Sequence, residues 1–106
     1  MTLRELQKLI ETMYSAKDRA RGPAGTFMWL AEEFGELARA IARKQDKVHL
    51  EREFADVLAW TASLANQVGV DLTAAVQRYA DGCPRCRAVP CACPLASTVS
   101  TGSATA

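Results

Sequence analysis

The sequence predicts an all-α fold, an antiparallel bundle of about four helices that is completed by oligomerisation and followed by a short Cys-rich C-terminal appendage. Apolar residues recur at intervals of three and four along most of the chain, and no alternating apolar and polar run indicates a strand. The segments between these runs are short, so successive helices should be antiparallel neighbours. Only about 80 residues have a composition that can form a folded core. At this length, self-association or a bound metal often completes the core.

The first predicted helix runs from Leu3 to about Arg19 and is amphipathic. Thr2 and Glu5 have the spacing of a capping box, in which each side chain accepts a hydrogen bond from the other residue's backbone N–H. Residues 22–25, Gly-Pro-Ala-Gly, break the helical pattern. We therefore expect the chain to turn after this helix.

A second and a third helix follow, separated by a short polar turn. Thr26 is the expected N-cap of the second helix, which reaches about Lys44. The third helix extends from about Val48 to Val68 and ends at Gly69, a residue type that favours a left-handed C-cap. The short turn predicts that the two helices pack antiparallel.

The rest of the chain divides into a short helix, a Cys-rich segment and a tail. Asp71 is expected to cap a fourth helix that ends near Gly82, so the helical domain should occupy residues 1–82. Residues 83–94 contain all four cysteines. Residues 95–106 are small and uncharged, and they cannot bury enough apolar area to offset their ordering entropy, so we expect a disordered tail.

Charge and hydropathy exclude several classes of protein. The chain has 13 Lys and Arg against 12 Asp and Glu, which gives no electrostatic reason to expect a nucleic-acid partner. No apolar run approaches the roughly 18 to 20 residues that span a bilayer, so we expect no membrane partner. The N-terminal residues mix acids with bases and do not resemble a signal peptide, which predicts a cytoplasmic protein.

Apolar stripes on the second and third helices predict the core. These stripes comprise Leu30, Phe34, Leu37 and Ile41 on the second helix and Leu50, Phe54, Val57, Thr61, Leu64 and Val68 on the third. We also assign Met13 and Met28 to the core, because they recur with the apolar residues at helical spacing.

Each of these two helices carries a pair of acids three residues apart, Glu33 with Glu36 and Glu53 with Asp56. At about 100° per residue, both pairs fall at the border of the apolar stripe. If the stripes pack antiparallel, the four carboxylates converge at one margin of the interface.

Four converging carboxylates repel one another and would hold protons unless a divalent cation binds their oxygens. Mg²⁺ or Mn²⁺ is the expected cation, because hard cations prefer carboxylates and Mg²⁺ keeps positions open for water and phosphate. A single acid pair at this spacing is common on a solvated helix face. Two pairs at the apolar border, with no Lys or Arg four residues after Glu33, Glu53 or Asp56, favour a metal site.

The residues around both pairs resemble the MazG-like nucleoside triphosphate pyrophosphohydrolases of the all-α NTP pyrophosphatase superfamily. The resemblance covers roughly Leu3 to Asp81 and rests on FMWLAEEFGELARAI at 27–41, EFADVLAW at 53–60 and GVDL at 69–72. It implies hydrolysis of an NTP or dNTP to nucleoside monophosphate and pyrophosphate, a nucleotide-pool house-cleaning role, and a homodimer or homotetramer. It also implies that Mg²⁺ is held by Glu33, Glu36, Glu53 and Asp56.

Hydrolysis of a phosphoanhydride needs neutralised phosphates and a water in line with the leaving group. Glu32 and Glu36 are the candidate catalytic residues, and Glu32 could bind a peripheral metal, orient the water or remain a solvated acid. Many family members carry an Asn on the third helix and an Asn followed by Lys at the end of the fourth, where this chain has Ser63 and the run Ala-Asp-Gly at 80–82. The phosphate-neutralising cation is therefore open between Lys17, Arg19, Arg78, Arg85 and Arg87.

Two tryptophans are candidate substrate contacts, alongside Lys17 and Arg19. Trp29 and Trp60 lie on the acid margins of their helices, where either ring could stack on a nucleobase or pack at a subunit interface. His49 is expected to be exposed and to have no catalytic role.

The cysteines form a C-x-x-C motif followed by C-x-C, namely Cys83, Cys86, Cys91 and Cys93. Four thiolates this close in sequence suit a tetrahedral Zn²⁺ site in a reducing compartment. Thiol redox chemistry, or no defined site, remains an alternative.

Two further hypotheses about function stay open at this point. One is a non-enzymatic, metal-binding helical module for interaction or regulation. The other is a phosphoribosyl-nucleotide pyrophosphohydrolase, since related helical enzymes use similar acid pairs. The sequence does not indicate the base, the sugar or the number of metal ions.

Overall fold

The computed structural model describes residues 1–95 of the chain, and the predicted tail at 95–106 lies outside them except for Leu95. Their regular secondary structure is entirely helical, with no β-strand, which confirms the all-α class. They form three helices, α1 to α3, and a 3₁₀ turn, at Leu3–Ala42, Lys47–Val68, Leu72–Ala75 and Val76–Tyr79. A four-helix bundle is not confirmed, because the first two predicted helices form one kinked element and the fourth is a single turn.

Helix α1 begins with the predicted capping box. Thr2 Oγ1 accepts a hydrogen bond from Glu5 N at 3.1 Å, and Glu5 Oε1 accepts one from Thr2 N at 2.6 Å. The helix is interrupted at Gly22, whose φ of 82° and ψ of 164° belong to a region that is almost restricted to glycine. Helical backbone resumes at Pro23, where the missing N–H removes no helical hydrogen bond.

The prediction that Thr26 is an N-cap is wrong. Thr26 lies within α1 and is completely buried. Its Oγ1 accepts hydrogen bonds from Arg21 Nη1 at 3.2 Å and from Gln67 Nε2 at 2.7 Å. The break is therefore one residue long, and Thr26 joins the two arms of α1, residues 3–21 and 23–42, to α2.

Helix α2 begins at Lys47, close to the predicted start at about Val48, and ends at the predicted Gly69 cap. Asp46 Oδ1 accepts a hydrogen bond from His49 N at 2.9 Å, and Gly69 ends the helix with a φ of 75°. After this cap, the side chain of Gln7 in α1 holds the chain. Gln7 Nε2 donates to Val70 O at 2.7 Å, and Gln7 Oε1 accepts from Leu72 N at 2.9 Å.

The core of the helix pair is small, and part of the predicted core is exposed. Leu30 is buried as expected, but four residues of the predicted stripes and both methionines are about half exposed or more. The wrong assignments are Phe34, Ile41, Phe54, Val68, Met13 and Met28. Helices α1 and α2 cover only one side of each other, so the outer parts of the stripes have no partner within the described chain.

The chain forms two compact units, one spanning Met1–Thr73 and the other beginning at Ala74. The predicted fourth helix is reduced to α3 and the 3₁₀ turn, which ends at Tyr79 before Gly82. Within the part of the chain that the structure describes, no helix combines the length and apolarity that crossing a membrane requires.

Candidate active site

Three of the four predicted metal-binding acids meet where α1 faces α2. Glu33, Glu53 and Asp56, here called the acidic cluster, each present an oxygen within 4.8 Å of the others. Glu53 is 6% exposed, whereas Glu33 and Asp56 are half-buried. The two helices place these oxygens together because each acid borders the face that packs against the other helix.

The acidic cluster concentrates negative charge. Burial raises the pKa of Glu33, and the negative charges of Asp56 and Glu53 raise it further. Glu53 Oε2 is buried and has no hydrogen-bond partner among the described residues. A buried carboxylate oxygen without a donor is costly, so the cluster is suited to receive a cation.

Glu36, the fourth predicted metal ligand, and Glu32, the other predicted catalytic acid, lie outside the acidic cluster. Glu32 and Glu36 are exposed, and neither belongs to the converging set. Their charges still contribute to raising the pKa of Glu33. Both carboxylates therefore strengthen the negative potential on this side of α1.

A cavity of about 320 Å³ adjoins the acidic cluster through Asp56. Lys17 lies in its wall and has no ion-pair partner among residues 1–95, whereas Arg19 lines a separate groove with Glu11 and Asn66. A cavity of this size falls at the lower end of the range for small-molecule sites. Its wall is formed by Tyr14, Lys17, Asp18, Arg21, Asp56, Ala59, Trp60 and Ser63.

The two predicted tryptophans lie together beside this cavity. The rings of Trp29 and Trp60 are stacked, with centroids 6.0 Å apart and planes inclined by 13°. Arg21 places its guanidinium carbon 4.8 Å from the centroid of the Trp60 ring. The same guanidinium donates to buried Asp18 at 3.0 Å and to Thr26, so it is held rigidly at the cavity wall.

Sequence analysis missed most of this wall. Tyr14, Asp18 and Arg21 accompany Lys17 at positions i, i+3, i+4 and i+7 of α1, so all four lie on one helix face. That spacing was available in the sequence. A helix that ends at about Arg19 excludes Arg21 from this face, whereas the observed helix continues to the break at Gly22.

His49 is partly exposed and contacts the acidic cluster. Its side chain is 41% exposed, and its Nε2 lies 3.4 Å from Oε1 of Glu53. The two residues are four positions apart on α2, a spacing that brings side chains into contact on a helix. His49 is therefore the one basic group in direct contact with the acidic cluster among the described ion pairs.

The four cysteines converge in the second compact unit. Their Sγ atoms all lie within 4.8 Å of one another, and none forms a disulfide. Backbone N–H groups of Ala88 and Ala92 lower the pKa of Cys86 to about 6, while the thiols of Cys91 and Cys86 raise that of Cys93 to about 12. The predicted sulfur cluster is thus assembled by the structure.

Comparison with known proteins agrees with the motifs. Residues 21–85 match the MazG nucleotide pyrophosphohydrolase domain, a range that includes the acidic cluster and both tryptophans. A dATP/dGTP diphosphohydrolase of Cyanophage S-2L is 38% identical over 76 residues, which cover 72% of this chain and 68% of that protein. The chain therefore belongs to the MazG family and is a nucleotide pyrophosphohydrolase.

Proposed function

We propose that this protein hydrolyses nucleoside triphosphates to nucleoside monophosphate and pyrophosphate with a divalent cation, Mg²⁺ or Mn²⁺, held by the acidic cluster. The observation that carries the proposal is the position of Asp56, which belongs to the acidic cluster and also lines the cavity. Lys17 and Arg21 line the same cavity. Metal-binding oxygens and phosphate-binding cations are thereby adjacent, and we assign the activity to residues 1–82.

The residues present fit a hard cation. Glu33, Glu53 and Asp56 offer only oxygen ligands, and among residues 1–95 Glu53 Oε2 has no hydrogen-bond partner that a metal would displace. When bound, a divalent cation would neutralise charge on the phosphates and lower the pKa of a coordinated water. Glu36, whose charge also raises the pKa of Glu33, is proposed as a further ligand because the resemblance implies it.

Other side chains have distinct roles in this proposal. Lys17 binds the phosphates, because it lines the cavity and forms no ion pair among residues 1–95. Arg21 orients the ring of Trp60, which with Trp29 forms an aromatic surface for the base. Glu32 orients the attacking water from the exposed side of α1.

The named relative suggests the substrate class. We propose purine deoxynucleoside triphosphates as the preferred substrates, since that relative is a dATP/dGTP diphosphohydrolase. Removal of such nucleotides in the cytoplasm would be a nucleotide-pool house-cleaning activity. A phosphoribosyl nucleotide is the alternative substrate, because the acidic cluster would serve any pyrophosphate linkage equally.

The experiment that tests this function uses protein freed of metal by chelation. We expect the eight common NTPs and dNTPs to give monophosphate and pyrophosphate in equal amounts after Mg²⁺ or Mn²⁺ is added, with dATP and dGTP fastest. Phosphoribosyl-ATP is included as the competing substrate. Release of orthophosphate, or full activity in excess chelator, would contradict the proposed reaction or its metal.

We also propose that the active protein is a homodimer or homotetramer in which helices of different copies complete a bundle. The exposed half of each predicted stripe supports this, because monomeric proteins rarely expose large contiguous apolar surface. Light scattering at micromolar concentration should give a mass of two or four chains. A stable monomer would contradict it.

A variant pair locates the proposed contact. Phe34→Ser should weaken association, because Phe34 is 50% exposed on the predicted stripe of α1. Val89→Ser is the control, since Val89 is 82% exposed but belongs to the second unit and to neither α1 nor α2. Equal association of both variants would argue against the helical surface as the interface.

A further inference from the structure

The spacing of the four sulfur atoms is that of ligands around one metal ion. The Sγ atoms of Cys83 and Cys93 are 3.8 Å apart, as are those of Cys86 and Cys91. A disulfide requires about 2.05 Å. Four sulfurs at about 2.3 Å from a central zinc ion lie about 3.8 Å from one another in a regular tetrahedron. These two separations match a tetrahedral site, and all four Sγ atoms lie within 4.8 Å of one another.

These four cysteines are here called the tetrathiol site, and the backbone around them forms a turn that positions their sulfur atoms. Arg87 has a φ of 66°, which turns the chain back directly after Cys86. The turn is closed by hydrogen bonds from Arg87 N to Cys83 O at 2.7 Å and from Cys83 N to Ala88 O at 3.1 Å. This loop places the two sulfurs of the C-x-x-C motif on the same side.

Amide groups also point at the sulfurs. Ala92 N lies 3.2 Å from Cys86 Sγ, and Cys93 N lies 3.4 Å from Cys91 Sγ. N–H donors stabilise a thiolate, which is the form that binds metal. Backbone N–H groups of the C-x-C segment are therefore placed to stabilise the thiolates of Cys86 and Cys91.

The segment has little else to hold it together. Between residues 76 and 95, Cys83 is the single buried residue. Val89 is 82% exposed and Leu95 is 97% exposed, so they contribute little apolar burial. Short segments without a core generally need disulfides or a metal to fold, and no disulfide is formed here.

We propose that the tetrathiol site binds one Zn²⁺ with a structural role, independently of the divalent cation proposed for catalysis. Binding releases the thiol protons and forms four Zn–S bonds, which leaves no open position for substrate. The resulting site carries two negative charges, and Arg85 and Arg87 in the same loop offset them. Soft thiolates select zinc, whereas the oxygens of the acidic cluster select Mg²⁺ or Mn²⁺.

The first test is the metal content of the full chain, purified under reducing conditions without chelator. We expect one zinc ion per chain by elemental analysis. Titration with a mercurial reagent should release one zinc for every four thiols modified. Absence of zinc, iron in its place, or a native protein with two disulfides would overturn the proposal.

The second test uses variants of the site. Cys86→Ser and Cys91→Ser should each lose stoichiometric zinc, and cobalt added to metal-free wild type should give the spectrum of a tetrahedral tetrathiolate that these variants lack. Ala92→Ser is the matched control, because it adds a hydroxyl between two ligands and keeps all four thiols. It should retain zinc.

Helix content separates zinc loss from unfolding of the whole chain. Helices α1 and α2 contain no cysteine, so circular dichroism of the Cys variants should retain most of the wild-type helical signal. Zinc retained at one ion per chain by Cys86→Ser and Cys91→Ser would overturn the assignment of these ligands. The mercurial titration on wild type stands even if a variant aggregates.

Discussion

Asp56→Asn should lower kcat/KM by at least about 100-fold, because loss of an outer-shell partner already costs about 10- to 100-fold and Asp56 is proposed as a ligand itself. Asparagine has nearly the same shape but removes the charge that attracts the cation. Asp56 is half-buried and also lines the cavity, so it joins the proposed metal to the phosphates. Steady-state kinetics with saturating Mg²⁺ measure the loss.

Glu51→Gln is the matched control for this variant. Glu51 is an exposed acid on the same helix and does not belong to the acidic cluster. The same loss of one negative charge there should change kcat/KM less than about twofold, since exposed charges are well screened. If Asp56→Asn and Glu51→Gln have equal activity, the acidic cluster is not the metal site.

The stability of the metal-free protein gives a second measurement, in which Asp56→Asn should not be impaired. The pKa of Glu33 is raised by burial and by the charges of Asp56 and Glu53, so the folded chain binds this proton more tightly than the unfolded chain does. The stability of the metal-free protein should therefore fall as the pH rises through the pKa of Glu33. Asp56→Asn removes one of the repelling charges, so in chelator at neutral pH its Tm should equal or exceed that of wild type.

A variant that is inactive yet no less stable would separate function from folding. Substitutions that damage the core lower activity and Tm together, because they remove packing. In metal-free protein, removal of a repelling carboxylate is expected to maintain or raise the Tm, although the variant has lost activity. A clear fall in the Tm of Asp56→Asn in chelator would instead indicate a structural role for this carboxylate.

The acids of the site could be predicted from the sequence because helical periodicity determines which residues share a helix face. Glu33, Glu53 and Asp56 each border an apolar stripe, and a short turn makes the two helices antiparallel. Those two facts suffice to bring the carboxylates together. The exclusion of Glu36 from the cluster depends on how far each helix is rotated about its axis, which periodicity does not determine.

Burial of the stripes was harder to predict, because it depends on what covers them. Phe34 and Phe54 have the spacing of core residues, but both are half exposed in the single chain. Periodicity reports that a face is apolar and does not report whether the covering helix belongs to the same copy. The same limit applies to Arg21, whose partners Thr26 and Trp60 are brought to it by tertiary packing.

The break in α1 is the other feature that the sequence described incompletely. Gly-Pro-Ala-Gly is a strong turn signal, yet the helix continues on both sides of one residue. Proline is compatible with the first position after the break. Because the helix resumes at Pro23, Thr26 lies within it and is buried. Local propensity identified the site of the break, and packing against α2 determined its length.

Gly22→Ala should destabilise the protein by about 1 to 3 kcal/mol, because a φ of 82° with a ψ of 164° is a backbone conformation that residues other than glycine rarely adopt. No atom lies within 4 Å of a Cβ built at Gly22, so the cost comes from the backbone and not from a steric clash with neighbours. For a domain of 60 to 100 residues, each 1 kcal/mol corresponds to a fall in Tm of roughly 4 to 8 °C.

Gly35→Ala is the matched control, since Gly35 lies within the helical part of the same element and its Cβ would also meet open space. Alanine is favoured over glycine there by roughly 0.5 to 1 kcal/mol, so the Tm should rise. Opposite shifts from the same substitution on one helix would show that the break at Gly22 is required by the fold. A Tm for Gly22→Ala at or above that of wild type would mean that α1 can run straight through this position. The position of Arg21 at the cavity wall would then have to depend on its contacts with other side chains and not on the kink.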